Sequence, residues 1–184
     1  MFEPLASERL IIRNFNPEDA SALHAYLSRA DVLTHEPDDP RSLPECEALA
    51  AERAQGDQFL AVCLRDDNRM IGHLYVALQE PAEFDTWEIG YIFNPDFGKH
   101  GYATEAARRL LDWLFTEKAA HRVMAMCSPE NPNSWHLLER LGMRREGLFR
   151  QKAFFRRDVL GRPIWLDAYE YAILSSEWPS GGSC

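Results

Sequence analysis

A strand, a glycine-bearing loop and an amphipathic helix follow one another directly in the middle of the chain, and this order constrains the fold more than any other feature. Residues 87–93 alternate and are rich in β-branched and aromatic side chains, which predicts a strand that ends at Asn94 and Pro95. From Ala103 to Leu114, apolar residues recur at three- and four-residue steps, which predicts a helix with one apolar face. We therefore expect this helix to lie on a sheet that contains the strand.

The loop between strand and helix has the properties of an anion site. The first turn of a helix leaves backbone N–H groups without helical partners, and the helix dipole adds partial positive charge, so a phosphate or pyrophosphate is favoured there. Gly98 and Gly101 let the backbone approach a ligand closely, and Lys99 and His100 add charge or donors. The loop matches neither the P-loop nor the dinucleotide-binding glycine pattern. Taken alone, it is also compatible with a purely structural turn.

The size of the chain predicts one domain. With 184 residues, 46% of them hydrophobic, the chain is long enough for one good core and short for two. We predict a single domain over residues 1–175 and a disordered tail over residues 176–184, where Pro, Ser and Gly are frequent. No apolar run is long enough to span a bilayer and the first residues lack a signal-peptide pattern, which favours a cytoplasmic protein.

The net charge and the spacing of the Cys and His residues limit the classes of ligand that the protein can bind. The formal net charge of −9 disfavours nucleic acid, whose binding needs clustered Lys and Arg, and favours a cationic partner such as an amine. The Cys and His residues are scattered rather than paired, so we expect reduced thiols and no metal site.

The remaining pattern predicts a mixed α/β (α+β) domain. Two apolar runs on either side of a turn at residues 66–68 predict an antiparallel hairpin, and a buried strand, a short helix and the last strands follow the central helix. The predicted strands span residues 7–13, 58–64, 70–78, 87–93 and 122–127, with further strands between 144 and 174, and the predicted helices span residues 17–28, 44–54, 103–114 and 135–141.

Three separate stretches resemble the GNAT superfamily of acetyl-CoA-dependent N-acyltransferases. Residues 98–103, Gly-Lys-His-Gly-Tyr-Ala, resemble the Gln/Arg-x-x-Gly-x-Gly/Ala loop of motif A, with glycine at the first position. Asn131-x-x-Ser134 and the Leu-Gly-Met at 141–143 resemble motif B, with methionine where phenylalanine is usual. Residues 5–13 and 17–20 resemble the opening of the RimJ/RimL branch, the ribosomal-protein N-terminal acetyltransferases and their relatives.

The resemblance implies the GNAT fold and acetyl-CoA as co-substrate. A mostly antiparallel central sheet, flanked by helices, is splayed at the cofactor cleft between the strand of Glu88 and the strand that begins at Arg122. The pyrophosphate lies on the loop amides, the pantetheine pairs with the exposed backbone of the central strand, and an asparagine binds the pantetheine amide. The implied cofactor-binding residues are Ile92, Phe93, Gly98, Lys99, His100, Gly101, Tyr102, Ala103, Thr104 and Asn131.

Glu88 and Ser134 are the candidates for catalysis. We expect Glu88 to sit among Trp87, Ile89 and Tyr91, where apolar surroundings raise the pKa of the carboxyl group enough for it to take a proton from an amine through a water molecule. Ser134 can donate a hydrogen bond to the departing thiolate. The purely structural alternatives are an exposed strand carboxylate at 88 and a helix cap at 133 or 134.

The sequence thus predicts N-acetyl transfer from acetyl-CoA to a primary amine, directly and in a ternary complex. The acceptor is left open between a protein N-terminus, as the RimJ/RimL resemblance implies, and a small cationic amine. His35 and Glu36 belong to the segment that shapes the acceptor side of the cleft in this superfamily, and the structural alternative for both is a solvated loop. A monomer and a homodimer are equally compatible with the sequence. The alternative is a non-catalytic acyl-CoA-binding or regulatory domain of the same fold.

Overall fold

Eight strands and four α-helices make up the computed structural model, which describes residues 2–179. The strands are β1 (Leu5–Ala6), β2 (Leu10–Asn14), β3 (Phe59–Leu64), β4 (Met70–Leu78), β5 (Thr86–Phe93), β6 (Arg122–Cys127), β7 (Arg144–Arg157) and β8 (Pro163–Leu174). The helices are α1 (Ala20–Leu27), α2 (Leu43–Arg53), α3 (Tyr102–Thr116) and α4 (Pro132–Arg140).

All eight strands form one sheet in the order β1-β2-β3-β4-β5-β6-β8-β7. Every neighbouring pair is antiparallel except β5 and β6, which are parallel. This is the mixed, mostly antiparallel sheet with flanking helices that the sequence predicts, and its parallel pair is joined through α3, as parallel neighbours require a long crossover.

Separate apolar clusters cover the two faces of the sheet. The α3 cluster contains Leu110, Leu114 and Ile89, all nearly or fully buried. The other cluster contains Leu23 of α1 and Cys46 of α2, packed against alternate residues of β3. Because successive side chains of a strand point to opposite faces, each central strand contributes to both clusters.

The sheet opens between β5 and β6. Their ladder covers only three residue pairs and ends at Glu88 and Met124. β5 continues to Phe93, still paired with β4, and β6 continues to Cys127, still paired with β8. The two strands therefore separate beyond Glu88, and one backbone edge of residues 89–93 is left for an extended ligand to pair with.

The end of the chain departs from the prediction of disorder after residue 175. Ser175–Glu177 form a short 3-10 helix, and Trp178 is buried with its ring 5.6 Å from that of Phe115. The indole Nε1 of Trp178 also donates a hydrogen bond of 2.9 Å to the carboxylate of Asp112. A single large side chain thus anchors a segment whose composition alone favours disorder. Residues 180–184, the rest of the predicted tail, lie outside the described residues.

Within residues 2–179, no helix combines the length and apolarity that a membrane crossing requires.

Candidate active site

A cleft of about 960 Å³ lies beside the free end of β5. The glycine loop with the start of α3, the start of α4 and the segment 31–36 supply its walls. This volume is at the upper end of the range for small-molecule sites, roughly 300–1,000 Å³. The cleft brings together most of the residues that the sequence singles out, namely Ile92, Phe93, Gly98, Lys99, Gly101, Tyr102, Ala103, Thr104, Asn131 and Ser134.

Backbone conformation explains the second glycine of the loop. Gly101 is the N-cap of α3 and has a φ of 80°, in the left-handed region that favours glycine. A Cβ atom at this position would come no closer than 3.7 Å to another group, so the requirement is conformational rather than steric. The turn brings the first residues of α3, from Tyr102 to Thr104, to the cleft.

Local packing explains why the first position of the loop is also glycine. Gly98 ends the short 3-10 helix Pro95–Phe97, and its N–H donates to the carbonyl oxygen of Pro95 at 2.9 Å. A Cβ atom on Gly98 would lie 2.9 Å from that same oxygen, which is closer than real Cβ atoms come. The Gln or Arg that motif A usually carries would therefore require this turn to shift.

Arg9 and Glu105 fasten the glycine loop to the start of the chain, a role that the sequence analysis missed. Arg9 donates from Nη1 to the carbonyl oxygen of His100 at 3.0 Å and from Nε to the Glu105 carboxylate at 2.7 Å. Ser7 donates to the same carboxylate at 2.8 Å. Burial raises the pKa of Glu105, but these hydrogen bonds outweigh it and hold the pKa below its ordinary value. The available sequence signals were the RimJ/RimL-like opening for Arg9 and, for Glu105, the sequence Thr104-Glu105-Ala106, which also resembles the GNAT superfamily.

His100 is the predicted cofactor contact that does not line the cleft. Its ring stacks on that of Tyr102 with centroids 5.5 Å apart, so it supports the loop from outside. His136 and Arg140, which the sequence analysis missed, do line the cleft. They are four residues apart on α4 and therefore on one face of that helix, which is the signal that was available. With Lys99 they give the cleft its basic side chains.

Asn131, not Asn133 or Ser134, caps α4. The side-chain oxygen of Asn131 accepts a hydrogen bond of 3.2 Å from the backbone N–H of Ser134. The helix-cap alternative for Ser134 is therefore wrong, and its hydroxyl is available for another partner. The oxygen of Asn131 is engaged in the cap, so its amide N–H groups are the part that can donate to a ligand.

The Ser134 hydroxyl meets a tyrosine that the sequence analysis had not assigned a role. The Tyr91 hydroxyl lies 2.9 Å from Ser134 Oγ and 3.2 Å from the Ser134 carbonyl oxygen. Burial, the largest influence, raises the pKa of Tyr91 far above its ordinary value, so this hydroxyl keeps its proton at neutral pH. When Tyr91 donates, the hydrogen of Ser134 is free to turn into the cleft.

Glu88 occupies the point at which β5 and β6 separate, but its surroundings differ from those predicted. Trp87 and Ile89 pack on the α3 side, whereas Glu88 faces the opposite side of the sheet because strand residues alternate. The pKa of Glu88 is nevertheless raised, first by burial and then by the charge of Glu170, with Lys152 opposing the shift. Glu88 borders the gap and is not among the residues that line the cleft.

Glu36 is a second carboxylate at the site and does line the cleft. Burial raises its pKa, and the charge of Asp38 adds to the effect. The nearby Asp31, Asp38 and Asp39 each pair with an arginine, but no ion pair within residues 2–179 includes Glu36. A partly buried carboxylate without a counter-ion favours a cationic ligand. His35 lies beside it on the cleft wall.

The family described as Acetyltransferase (GNAT) domain matches residues 9–144. The chain belongs to this family. A Bacillus subtilis (strain 168) protein named Uncharacterized N-acetyltransferase YnaD is 36% identical over 95% of this chain and 98% of its own length. The crystal structure of a GNAT-family acetyltransferase from Bacillus anthracis is 34% identical, covers 95% of this chain and 100% of its own, and superposes with a TM-score of 0.87.

The same fold occurs in a spermidine N-acetyltransferase from Vibrio cholerae in complex with CoA and spermine. That chain has a TM-score of 0.74 at 22% identity, with 93% of this chain and 98% of its own covered. The GNAT match, residues 9–144, contains every candidate site residue described above. The described residues beyond it form mainly the hairpin of β7 and β8.

Proposed function

We propose that this GNAT protein transfers the acetyl group of acetyl-CoA to the primary amine of a cationic acceptor, in a ternary complex in the cytoplasm. One observation carries the proposal: an anion-binding helix start, a free strand edge and a hydrogen-bonded Tyr91–Ser134 pair surround a single cleft. Acetyl-CoA has a pyrophosphate, an extended pantetheine and a thioester sulfur. The helix start, the strand edge and the Tyr91–Ser134 pair provide one partner for each of these parts, in that order.

The glycine loop fits the pyrophosphate of acetyl-CoA. The free N–H groups at the start of α3, a helix of 15 residues, favour an anion. Lys99, His136 and Arg140 add donors around the same cleft. The pantetheine of acetyl-CoA pairs with the free edge of residues 89–93, and the amide of Asn131 donates to one of the pantetheine carbonyl groups. The CoA complex of the similarly folded spermidine N-acetyltransferase is consistent with this use of the fold.

Glu88 acts as the general base, and Ser134 acts as the hydrogen-bond donor to the leaving thiolate. Glu88 takes one proton from the acceptor ammonium, and the free amine forms a bond to the acetyl carbon. As the carbon–sulfur bond breaks, the electron pair goes to sulfur, and the Ser134 hydroxyl stabilises the thiolate by a hydrogen bond. The nitrogen, positively charged after the bond forms, loses a second proton to solvent or to the thiolate and keeps one hydrogen in the amide product. Tyr91 acts through Ser134 and orients its hydroxyl.

Direct transfer of the acetyl group to the amine is favoured over transfer through a cysteine, because the thiol of Cys127 is a poor nucleophile. Cys127 adjoins Ser134, and burial raises the pKa of its thiol to about 11 despite a hydrogen bond with Ser134. At neutral pH this side chain is a thiol, and the thiolate is the form that attacks a thioester. An acetyl-cysteine intermediate is therefore disfavoured.

Glu36 supports a cationic acceptor. Its carboxylate, which forms no ion pair within residues 2–179, lines the cleft from the segment 31–36. A protein N-terminus, as expected for a RimJ/RimL-like enzyme, and a small polyamine both present an ammonium group there. The overall charge of −9 attracts either one.

An assay of free thiol release tests the proposal. Acetyl-CoA is mixed with the protein and either peptides that begin with Ser or Ala or small cationic amines. We expect turnover with at least one class and acetylated product by mass spectrometry. CoA binding in calorimetry without turnover across the panel would indicate the non-catalytic acyl-CoA-binding alternative instead.

A further inference from the structure

The outer half of the last hairpin, residues 148–166, stands free of the rest of the sheet, and we call this segment the arm. The ladder between β6 and β8 ends at Cys127 and Tyr169. The part of β8 before Tyr169 therefore pairs only with β7, which is itself the edge strand. A two-stranded ribbon on its own is marginally stable in water and needs a further surface to pack against.

The arm carries most of the exposed large hydrophobic residues of the part of the chain that the structure describes. Of the eleven large hydrophobic residues that are exposed among residues 2–179, eight lie in these nineteen positions. A concentration of exposed apolar side chains is typical of an interaction site. The eight residues are Leu148, Phe149, Phe154, Phe155, Val159, Leu160, Ile164 and Trp165.

The arm also differs in charge from the rest of the chain. It contains five Arg and Lys residues and one Asp, a net charge of +4. The other residues of the chain contain fifteen Arg and Lys against twenty-eight Asp and Glu, a net charge of −13. Arg150 and Lys152 take part in no ion pair within residues 2–179, in contrast to Arg162, which pairs with Asp158.

We propose that the arm is a dimerisation element that packs on the acidic surface of a second copy of this chain. Eight apolar side chains, between 38% and 102% exposed, can bury on the order of 700 Å² per copy, close to the roughly 800 Å² per partner of a stable interface. Packing of arm on arm would oppose two charges of +4, whereas packing of the arm on the body opposes +4 and −13. By twofold symmetry, each copy gives one arm and receives one.

The arm forms hydrogen bonds with the segment on the acceptor side of the cleft. Arg156 of the arm donates from Nη2 to the carbonyl oxygen of Leu33 and from Nη1 to that of Thr34, at 3.2 and 3.4 Å. These residues adjoin His35 and Glu36 on the cleft wall. A second copy that holds the arm therefore also steadies this wall.

Sedimentation equilibrium at concentrations up to about 100 μM tests the proposal. We expect the mass of a dimer for the wild type and at least tenfold weaker association for Trp165→Ser and for Arg150→Glu. Phe84→Ser removes a side chain that is 60% exposed outside the arm and serves as the matched control, with unchanged association. Circular dichroism verifies folding, and Arg150→Glu keeps the test valid if Trp165→Ser unfolds the arm.

A monomer at all concentrations, or a dimer that both arm variants leave intact, would overturn the proposal. Binding of an acidic peptide such as poly-glutamate to a monomeric wild type would assign the arm to a different partner and overturn it equally. Added salt should weaken the dimer, because exposed charges are screened over about 8–10 Å at physiological ionic strength.

Discussion

The Tyr91 hydroxyl lies 2.9 Å from Ser134 Oγ and thereby joins the free end of β5 to the first turn of α4. Both groups stand where the two strands have separated, on one side of the cleft. Leu138 of α4, by contrast, is fully buried in the α3 cluster and has no hydroxyl to offer.

Ser134→Ala should lower kcat without loss of stability. A hydrogen bond to a charged group contributes about 1.5–3 kcal/mol, which corresponds to roughly a 10- to 150-fold decrease in rate. Tyr91→Phe should have a smaller effect because Tyr91 acts through Ser134. Steady-state kinetics and thermal melting provide the measurement. Asn131→Ala is the comparison for stability and should lower the free energy of unfolding by about 1 kcal/mol as an N-cap change. It should also weaken acetyl-CoA binding, because the Asn131 amide donates to the pantetheine.

Gly101→Val should weaken CoA binding by about tenfold or more while the domain stays folded, since a β-branched residue in the left-handed region carries roughly 1–3 kcal/mol of strain at the loop. Isothermal titration calorimetry with CoA measures the effect. Gly161→Val is a matched control, because Gly161 has a φ of 78° and no neighbour within 4 Å of an added Cβ atom. Equal affinity of the Gly101 variant and the wild type would remove the glycine loop from the binding site.

The sequence predicted the fold well because its evidence was local. The 3.6-residue period of α3 and the alternation of β5 predict both elements to within one or two residues. The side of the sheet to which Glu88 points is also local information, and the prediction failed there because sequence neighbours on a strand face opposite sides.

Contacts between distant segments could not be predicted in the same way. The hydrogen bonds of Arg9 to the loop at His100 and of Trp178 to Asp112 depend on the tertiary fold alone. The cap of α4, Asn131, is only partly predictable from the local sequence. Asn131, Asn133 and Ser134 flank Pro132, and only the preference of proline for the first helical turn favours the residue before it.

Glu88→Gln should reduce kcat about 10²-fold or more with little change in acetyl-CoA affinity, the scale expected for loss of a general base. The base acts only when deprotonated, so kcat/KM should fall as pH decreases through the raised pKa of Glu88.

Two charge variants should shift this acidic limb in opposite directions. Glu170→Gln removes a charge that raises the pKa of Glu88 and should move the limb to lower pH. Lys152→Gln removes a charge that lowers this pKa and should move the limb to higher pH. Rate profiles between about pH 5 and 9 measure the shifts. An acidic limb that neither variant moves would assign the base to another residue.

Glu36→Gln should raise KM for the acceptor several-fold with little effect on KM for acetyl-CoA, because the carboxylate on the cleft wall loses its charge. Glu83→Gln makes the same change in net charge on an exposed 3-10 helix away from the cleft and should leave KM unchanged. For the wild type, kcat/KM for the acceptor should decrease as salt increases. Kinetics that are independent of salt, together with a neutral best acceptor, would exclude electrostatic recognition.

The hydrogen bonds of Arg9 to His100 and Glu105 couple local unfolding of β1 and β2 to ligand binding in the cleft. Opening of the turn between β1 and β2 releases the glycine loop, and a ligand on that loop selects the closed form. By linkage, a ligand at 100 times its dissociation constant opposes such opening by about 2.7 kcal/mol. Amide hydrogens of residues 5–14, far from the cleft in the chain, should then exchange with deuterium about a hundredfold more slowly when CoA is bound. The amino-terminal strands would in that case report binding without touching the ligand.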